Sequence, residues 1–138
     1  MFLVDTDVIS EARNGDKGNA GVREFFSNAS RNNIALSLSA ITIGELRPGV
    51  ETSGIAVIRR RLHVWSAGLI VSTVDYADAI LPFDQETAQI WGRLRIPHPE
   101  NPLDKQIAAT ALIHDLIVVT RNTDHYEPTG VKIVNPFA

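Results

Sequence analysis

The 138-residue chain contains no cysteine, and other familiar signals are scarce as well. The absence of cysteine excludes disulfide bonds, thiolate metal sites and cysteine nucleophiles. No apolar run approaches the roughly 18–20 residues of a membrane-spanning helix. The start Met1–Asp5 lacks the charged segment and long apolar stretch of a signal peptide. We therefore expect a cytoplasmic protein that does not enter a membrane.

Positive charge is also scarce, since 13 Lys and Arg against 16 Asp and Glu give a formal net charge of −3. This balance argues against a broadly basic nucleic-acid-binding surface. It does not exclude a nuclease, because a metal site concentrates acids and the bound ion restores positive charge. The run Arg59–Arg61 is more typical of a solvated helix face than of an RNA contact.

Several catalytic motifs are missing from the sequence. There is no Gly-rich phosphate loop and no Gly-x-Ser-x-Gly elbow, so nucleotide cradling and serine-based acyl transfer lack support. The four histidines, His63, His98, His114 and His125, do not have the paired spacing of a zinc site. The chemistry must therefore come from other residue types.

Hydrophobic patterns alternate between short strands and helices. A chain of this length with 44% hydrophobic residues predicts one domain spanning residues 1–138, with a substantial core. Strand patterns occur at Phe2–Val4, Ile34–Leu38, Ala79–Pro82, Ile117–Thr120 and Val131–Val134. Helices are predicted near residues 6–12, 20–29, 39–47, 54–70, 84–95 and 103–115, with Pro48 ending or kinking the third. This alternation predicts an α/β fold with a central parallel sheet of four to five strands between helices.

Four acidic or amide side chains lie where these elements meet. Asp5 follows the first predicted strand, and Asn122 follows the predicted strand Ile117–Thr120. Glu45 lies in an apolar helix, and Asp104 lies at the start of another helix. Ligand sites in open parallel sheets lie beyond the carboxyl ends of the strands, where Asp5 and Asn122 are expected. Oxygen ligands of this kind suit Mg²⁺. Together they predict a magnesium-type site.

Each of these residues also has a simpler structural explanation. Asp5 and Asp7 can cap the helix that follows them. Asp104 lies in the first turn of a helix, where the macrodipole favours an anion. Glu45 needs a partner if it is buried, and either Arg47 or a metal would serve. Single residues do not decide between these alternatives, but the joint arrangement favours a site.

Four linked segments resemble one known family. They are Leu3–Glu11, Ser39–Arg47, Asp104 with Ile107–Ala111, and Val119–Thr123 through Asn135–Phe137. In this order, and over nearly the whole chain, they are similar to the PIN-domain toxins of the VapC type, especially the FitB-like branch. The resemblance implies a PIN-like three-layer α/β/α sandwich.

The resemblance also implies a Mg²⁺- or Mn²⁺-dependent endoribonuclease, the toxin of a toxin–antitoxin pair, that cuts tRNA or another structured RNA. By position, the expected metal ligands are Asp5, Glu45 and Asp104, with Asn122 as the fourth catalytic residue. The expected supporting residues are Thr6, Asp7, Thr120 and Asp124.

The partners implied by the resemblance are an RNA substrate and a cognate antitoxin of the VapB or FitA kind. The antitoxin is expected to bind along a groove near the site and to carry the DNA-binding domain, so that DNA is contacted only indirectly. A homodimer is expected too, and surplus apolar residues in the fourth predicted helix agree with it: Ile55, Ile58, Leu62 and Trp65.

The sequence departs from the family pattern near both ends of the expected site. Asp7 stands where Asn is commonest. His125 and Tyr126 stand where related sequences often have an acid and Phe, and Asp124 comes one position early. These departures leave open whether the site holds one or two metal ions.

Two other functions are compatible with parts of the sequence. Asp5-x-Asp7 after an apolar strand is similar to the nucleophile and acid of haloacid-dehalogenase-type phosphatases, in which Asp5 would form an aspartyl-phosphate. No late paired Asp motif accompanies it. The second of these functions is a non-catalytic protein-binding module, in which the acids only stabilise the fold.

Overall fold

A computed structural model describes residues 1–51 and 80–138. The helix predicted over 54–70 lies outside the described residues, and so do Arg59–Arg61 and the four apolar residues on which the dimer expectation drew.

Five short strands form one fully parallel sheet. They are β1 (Phe2–Val4), β2 (Leu36–Ser39), β3 (Ile80–Leu81), β4 (Ile117–Val119) and β5 (Ile133–Val134), in the order β3-β2-β1-β4-β5. The chain start therefore lies at the centre of the sheet, with Leu3 paired to Ser37 on one side and Val118 on the other. The predicted parallel sheet is confirmed, and so is the edge position of the strand near Pro82.

Six helices, numbered in order among the described residues, connect and cover these strands. They are α1 (Thr6–Ala12), α2 (Ala20–Arg31), α3 (Ala40–Glu51), α4 (Gln85–Leu94), α5 (Pro102–Ile113) and α6 (Thr123–Tyr126). Two single turns of 3₁₀ helix follow α1 and α6, at Gly15–Lys17 and Glu127–Thr129. Parallel neighbours need such crossover connections, since a tight hairpin joins only antiparallel strands.

Several element boundaries differ from the prediction, including those of α3 and β2. Helix α3 continues through Pro48 to Glu51, so Pro48 does not end it. A proline inside a helix removes one backbone hydrogen bond, which the surrounding turns tolerate here. Strand β2 begins at Leu36 and not at Ile34, because Asn33 adopts a left-handed conformation with φ of 50°. The chain therefore turns just before the strand.

The strands divide the core into two layers of packing. Leu3 and Val118 pack on the face that α5 covers, whereas Val4 and Val119 pack on the face of α1 and α2. This alternation follows from the two-residue period of side chains along a strand. The three-layer arrangement leaves the carboxyl ends of β1 and β4 pointing the same way, where α1 and α6 begin.

Among the helices in residues 1–51 and 80–138, none combines the length and the apolar character needed to cross a membrane.

Candidate functional site

Asp5 occupies the carboxyl end of the central strand. Its backbone amide donates to Val119 O at 2.9 Å, which extends the pairing of β1 with β4 by one residue. Its side chain is the N-cap of α1, where Oδ1 accepts from the Thr6 amide at 2.7 Å. Oδ2 accepts from the Thr120 hydroxyl at 2.8 Å. Both carboxylate oxygens are therefore fixed, and Asp5 is only 2% exposed.

Burial makes the ionised form of Asp5 expensive. The pKa of Asp5 is raised from 3.8 to about 7, mainly by desolvation and also by the nearby negative charges of Asp7 and Asp104, against the hydrogen bonds from Thr120 and Thr6 that lower it. A buried carboxylate with such a pKa lacks a compensating positive charge. A cation bound beside it would favour the ionised form.

Asp7 adds a second carboxylate from the first turn of α1. Its Oδ2 accepts from the Arg121 backbone amide at 3.0 Å. The residues that follow β4 therefore form hydrogen bonds with both Asp5 and Asp7. Its Oδ1 is buried and accepts no hydrogen bond of normal geometry from the residues that the structure describes. Burial raises the pKa of Asp7 above its usual range. Asp5, and not Asp7, is the residue that caps the helix.

Glu45 joins the site through a hydroxyl. The Thr6 hydroxyl donates to Glu45 Oε1 at 2.7 Å and also lies 3.1 Å from the hydroxyl of the buried Thr42. Thr6 thus contacts Asp5 through its amide and Glu45 through its side chain. The contact gives half-buried Glu45 the polar partner that its apolar surroundings require, while the supporting role of Thr6 stays a prediction.

Asp104 approaches from the first turn of α5. Its Oδ2 lies 2.6 Å from Nδ1 of His125 in α6. Its negative charge contributes to the raised pKa values of Asp5 and Asp7. The first turn of α5 therefore faces the same edge of the sheet as β1.

Asn122 lies at the start of α6, at the predicted edge. Its backbone amide donates to the Thr120 hydroxyl at 3.0 Å, but its side chain makes no capping hydrogen bond. Thr120 is fully buried and connects Asn122 with Asp5. Asp124 is exposed and takes no part in the hydrogen bonds described for the other site residues.

Tyr126 was not among the site residues predicted from the sequence. This side chain is fully buried, and its hydroxyl has no hydrogen-bond partner of normal geometry. Desolvation, followed by the charges of Asp5 and Asp104, raises its pKa well above the usual range. The signal available in the sequence was the departure from Phe at this position, which places a hydroxyl beside the acids.

We call Asp5, Asp7, Glu45 and Asp104 the acid edge. Within the two described ranges, no three acidic or histidine side chains form a group already close enough to hold a metal ion. Like charges repel, and the hydrogen bonds from Thr6, Thr120 and His125 each occupy a carboxylate oxygen. The donors are all oxygens, and Asp7 Oδ1 is a buried acceptor without a partner. This donor set fits a hard divalent cation, which would draw the carboxylates together.

Comparison with known proteins agrees with this architecture. The profile of the PIN domain matches residues 2–130. Toxin FitB of Neisseria gonorrhoeae is 34% identical, over 99% of this chain and 99% of that protein. The tRNA(fMet)-specific endonuclease VapC of Shigella flexneri is 34% identical, over 94% of this chain and 92% of its own length.

A solved structure described as FitAB bound to an IR36 DNA fragment contains a chain with a similar fold. It aligns with a TM-score of 0.85 and 32% identity, covering 100% of this chain and 96% of that one. The similarity therefore extends over both layers of the core and the acid edge.

Proposed function

This chain belongs to the PIN-domain family, among the toxins of the VapC and FitB type, and we propose from that premise that it is an endoribonuclease and the toxin of a toxin–antitoxin pair. The observation that carries the proposal is the buried Asp5 carboxylate between Asp7 and Asp104 at the carboxyl end of the sheet. Two relatives, one named as a ribonuclease and one as a tRNA-specific endonuclease, support hydrolysis of RNA phosphodiester bonds.

The proposed metal ligands are Asp5, Glu45 and Asp104, with Asn122 as a further oxygen donor. When bound, Mg²⁺ or Mn²⁺ supplies an activated water and neutralises the charge that develops on the phosphate. The ion also reconciles an acidic site with a polyanionic substrate. The unpaired Asp7 Oδ1 and the raised pKa of Asp5 support a cation rather than a purely structural role for these acids.

The remaining polar residues hold the ligands in place. Thr120 and the Thr6 amide fix the two oxygens of Asp5 separately, so this carboxylate cannot rotate freely. The Thr6 hydroxyl holds Glu45 on the opposite side. Such fixed positions lower the cost of assembling the site when the ion and the RNA arrive.

The arrangement disfavours the phosphatase alternative. An aspartyl nucleophile must reach the phosphorus atom with a free oxygen, but both oxygens of Asp5 accept hydrogen bonds and the side chain is almost fully buried. A ligand role fits this environment better, because a small ion needs less access to the buried Asp5 oxygens than a substrate phosphate held in line for attack.

The proposed substrate is tRNA or another structured RNA, since a relative is named for a specific tRNA. The proposed protein partner is a cognate antitoxin, which contacts DNA on behalf of the pair, as the FitAB complex with DNA suggests. We also expect a homodimer of the toxin, which the mass from light scattering of the purified chain would test. A monomeric mass at micromolar concentration would contradict it.

Cleavage of total bacterial RNA by the purified chain, freed of any partner, tests the activity. The reaction is run with Mg²⁺, with Mn²⁺ and with chelator, beside Asp5→Asn and the matched surface variant Glu24→Gln. Glu24 is exposed in α2, far from the acid edge in sequence, and pairs with Arg31. Discrete fragments that require metal, disappear in Asp5→Asn and persist in Glu24→Gln are expected. Intact RNA from a folded, metal-bound protein would favour the non-catalytic module instead.

A further inference from the structure

The side chain of His125 makes a short contact with the carboxylate of Asp104. Nδ1 of His125 lies 2.6 Å from Oδ2 of Asp104, slightly closer than is usual for charge-assisted hydrogen bonds between nitrogen and oxygen. The two residues come from different helices, α6 and α5, and are 21 positions apart in sequence. The contact therefore links the two helices at the acid edge.

The chemistry of the two side chains determines which of them donates the hydrogen bond. An ionised carboxylate only accepts hydrogen bonds, so Nδ1 of the imidazole is assigned as the donor. This bond occupies Oδ2 of Asp104 and leaves Oδ1 outside it. Asp104 is 19% exposed and His125 is 42% exposed, so the carboxylate is the more enclosed partner. A side chain held by one oxygen presents the other in a defined direction.

The same principle already operates at Asp5, with different donors. Asp5 is fixed by an amide and a hydroxyl, whereas an imidazole contacts Asp104. An ionised acid at position 125 would face Asp104 with a like charge and could not donate to it. His125 supplies a donor at this place without adding negative charge.

We propose that His125 is a positioning residue for the metal ligand Asp104, which it holds by the hydrogen bond from Nδ1 to Oδ2. The inference rests on the proposed function in one respect, the role of Asp104 as a ligand. Partners that orient a ligand in this way contribute about 10- to 100-fold to metal affinity or activity. His125 does not bind the ion itself.

The experiment measures dissociation constants of Mg²⁺ and Mn²⁺ by calorimetry on the full chain, freed of any partner. His125→Leu removes the donor, and His125→Asn, of similar size, keeps an amide nitrogen near the place of Nδ1. His114→Ala is the matched control, since His114 is exposed at the end of α5. We expect the Leu variant to bind both ions about 10- to 100-fold more weakly. The Asn variant should recover most of the affinity, and the control should bind as the parent does.

Three outcomes would overturn the proposal. Unchanged affinity in a folded His125→Leu would show that the contact does not position the ligand. Loss of Mn²⁺ binding with unchanged Mg²⁺ binding would identify His125 as a ligand, because imidazole suits Mn²⁺ better than Mg²⁺. If His125→Leu does not fold, as judged by circular dichroism, a tenfold loss in a folded His125→Asn overturns it equally.

The assay distinguishes this inference from the proposed nuclease activity. A parent protein that binds metal but leaves RNA intact, with affinity lost in His125→Leu and kept in His125→Asn, would uphold the positioning role and reject the activity. A parent that cleaves RNA with metal, with all three variants binding ions equally, would reject the positioning role alone.

Discussion

Two regions of this molecule close the chain by joining its beginning to its end, and they do so differently. The acid edge connects Asp5 to Thr120, 115 positions away. A second region, which we call the C-terminal clasp, consists of Asn19, Gly21 and Pro136–Ala138, and connects residues 119 positions apart. Each region therefore contributes to holding both ends of the chain against the central sheet.

None of the side chains of the clasp is charged, and both polar atoms of the Asn19 side chain form hydrogen bonds. Asn19 Oδ1 accepts from the amides of Gly21, Val22 and Ala138, while its Nδ2 donates to Ala138 O. The acid edge instead keeps Asp7 Oδ1 buried and unpaired. The clasp joins the two ends of the chain without charged side chains. The fold therefore does not require the acids of the acid edge for this purpose. Their cost in stability is what a functional site is expected to carry.

The largest expected effect comes from removing the central charge of the acid edge. Without divalent cation, Asp5→Asn should be more stable than the parent at about pH 8, by up to about 4 kcal/mol. The reason is the pKa of Asp5, raised from 3.8 to about 7 by burial. Between these values the folded state holds a proton that the unfolded state has lost. Stability of the parent therefore falls as pH rises from about 4 to about 7.

Urea unfolding in chelator at several pH values measures this effect. The parent should lose stability across that interval, and Asp5→Asn should show a flatter profile. Addition of Mg²⁺ should stabilise the parent more than the variant, because ion binding requires the ionised carboxylate. A parent whose stability rises with pH in chelator would contradict the charge argument.

The next effect tests how closely the clasp is packed. A Cβ added at Gly21 would lie 2.1 Å from Pro136 O and 2.8 Å from Ala138 N, both backbone atoms. We expect Gly21→Ala to reduce the free energy of unfolding by about 3 kcal/mol, because the tail must move away. Gly92→Ala is the matched control in α4, where a Cβ meets nothing within 4 Å.

The control should be neutral or stabilising by about 0.5–1 kcal/mol, since alanine is the better helix former. Chemical denaturation of both variants gives the comparison. Equal stability of the two alanine variants would show that the tail does not pack on α2 as described.

The third effect concerns a single hydroxyl at the acid edge. Thr120→Val removes the donor to Asp5 Oδ2 and the acceptor for the Asn122 amide, with little change of shape. Loss of the partner of a buried polar group should cost about 2 kcal/mol. Thr120→Ser keeps the hydroxyl and should lose less. Calorimetric unfolding that ranks the serine variant below the valine variant would be inconsistent with this role.

Much of this architecture could be predicted from the sequence. The period of apolar residues gave the parallel sheet, and Asp5 and Asn122 do lie beyond the carboxyl ends of strands that pair directly. The Thr6 hydroxyl does contact Glu45, whereas the supporting role of Thr6 stays a prediction. These expectations succeeded because strand direction and helix starts are encoded locally.

Other features depended on contacts that no local pattern encodes. The strand order places β1 between β2 and β4, and this follows from packing across the whole chain. Residue 125 was recognised as unusual, but its contact with Asp104 depends on the angle between two helices and on a side-chain rotamer. Asn19 caps α2, and its partner Ala138 lies 119 positions away in the sequence, a pairing that no local pattern encodes.

The smallest expected effect separates the two roles of Asn19, which caps α2 and holds the tail. Asn19→Ala removes the bonds to the Gly21 and Val22 amides as well as those to Ala138, and should cost about 1–2 kcal/mol. Asn14→Ala is a matched control, because Asn14 precedes a 3₁₀ turn without a side-chain capping bond and is exposed. Denaturant unfolding should show almost no change in the control. Hydrogen exchange resolves the two roles: protection lost at the start of α2 alone would show a cap, whereas loss at β5 as well would show that the clasp carries stability into the sheet.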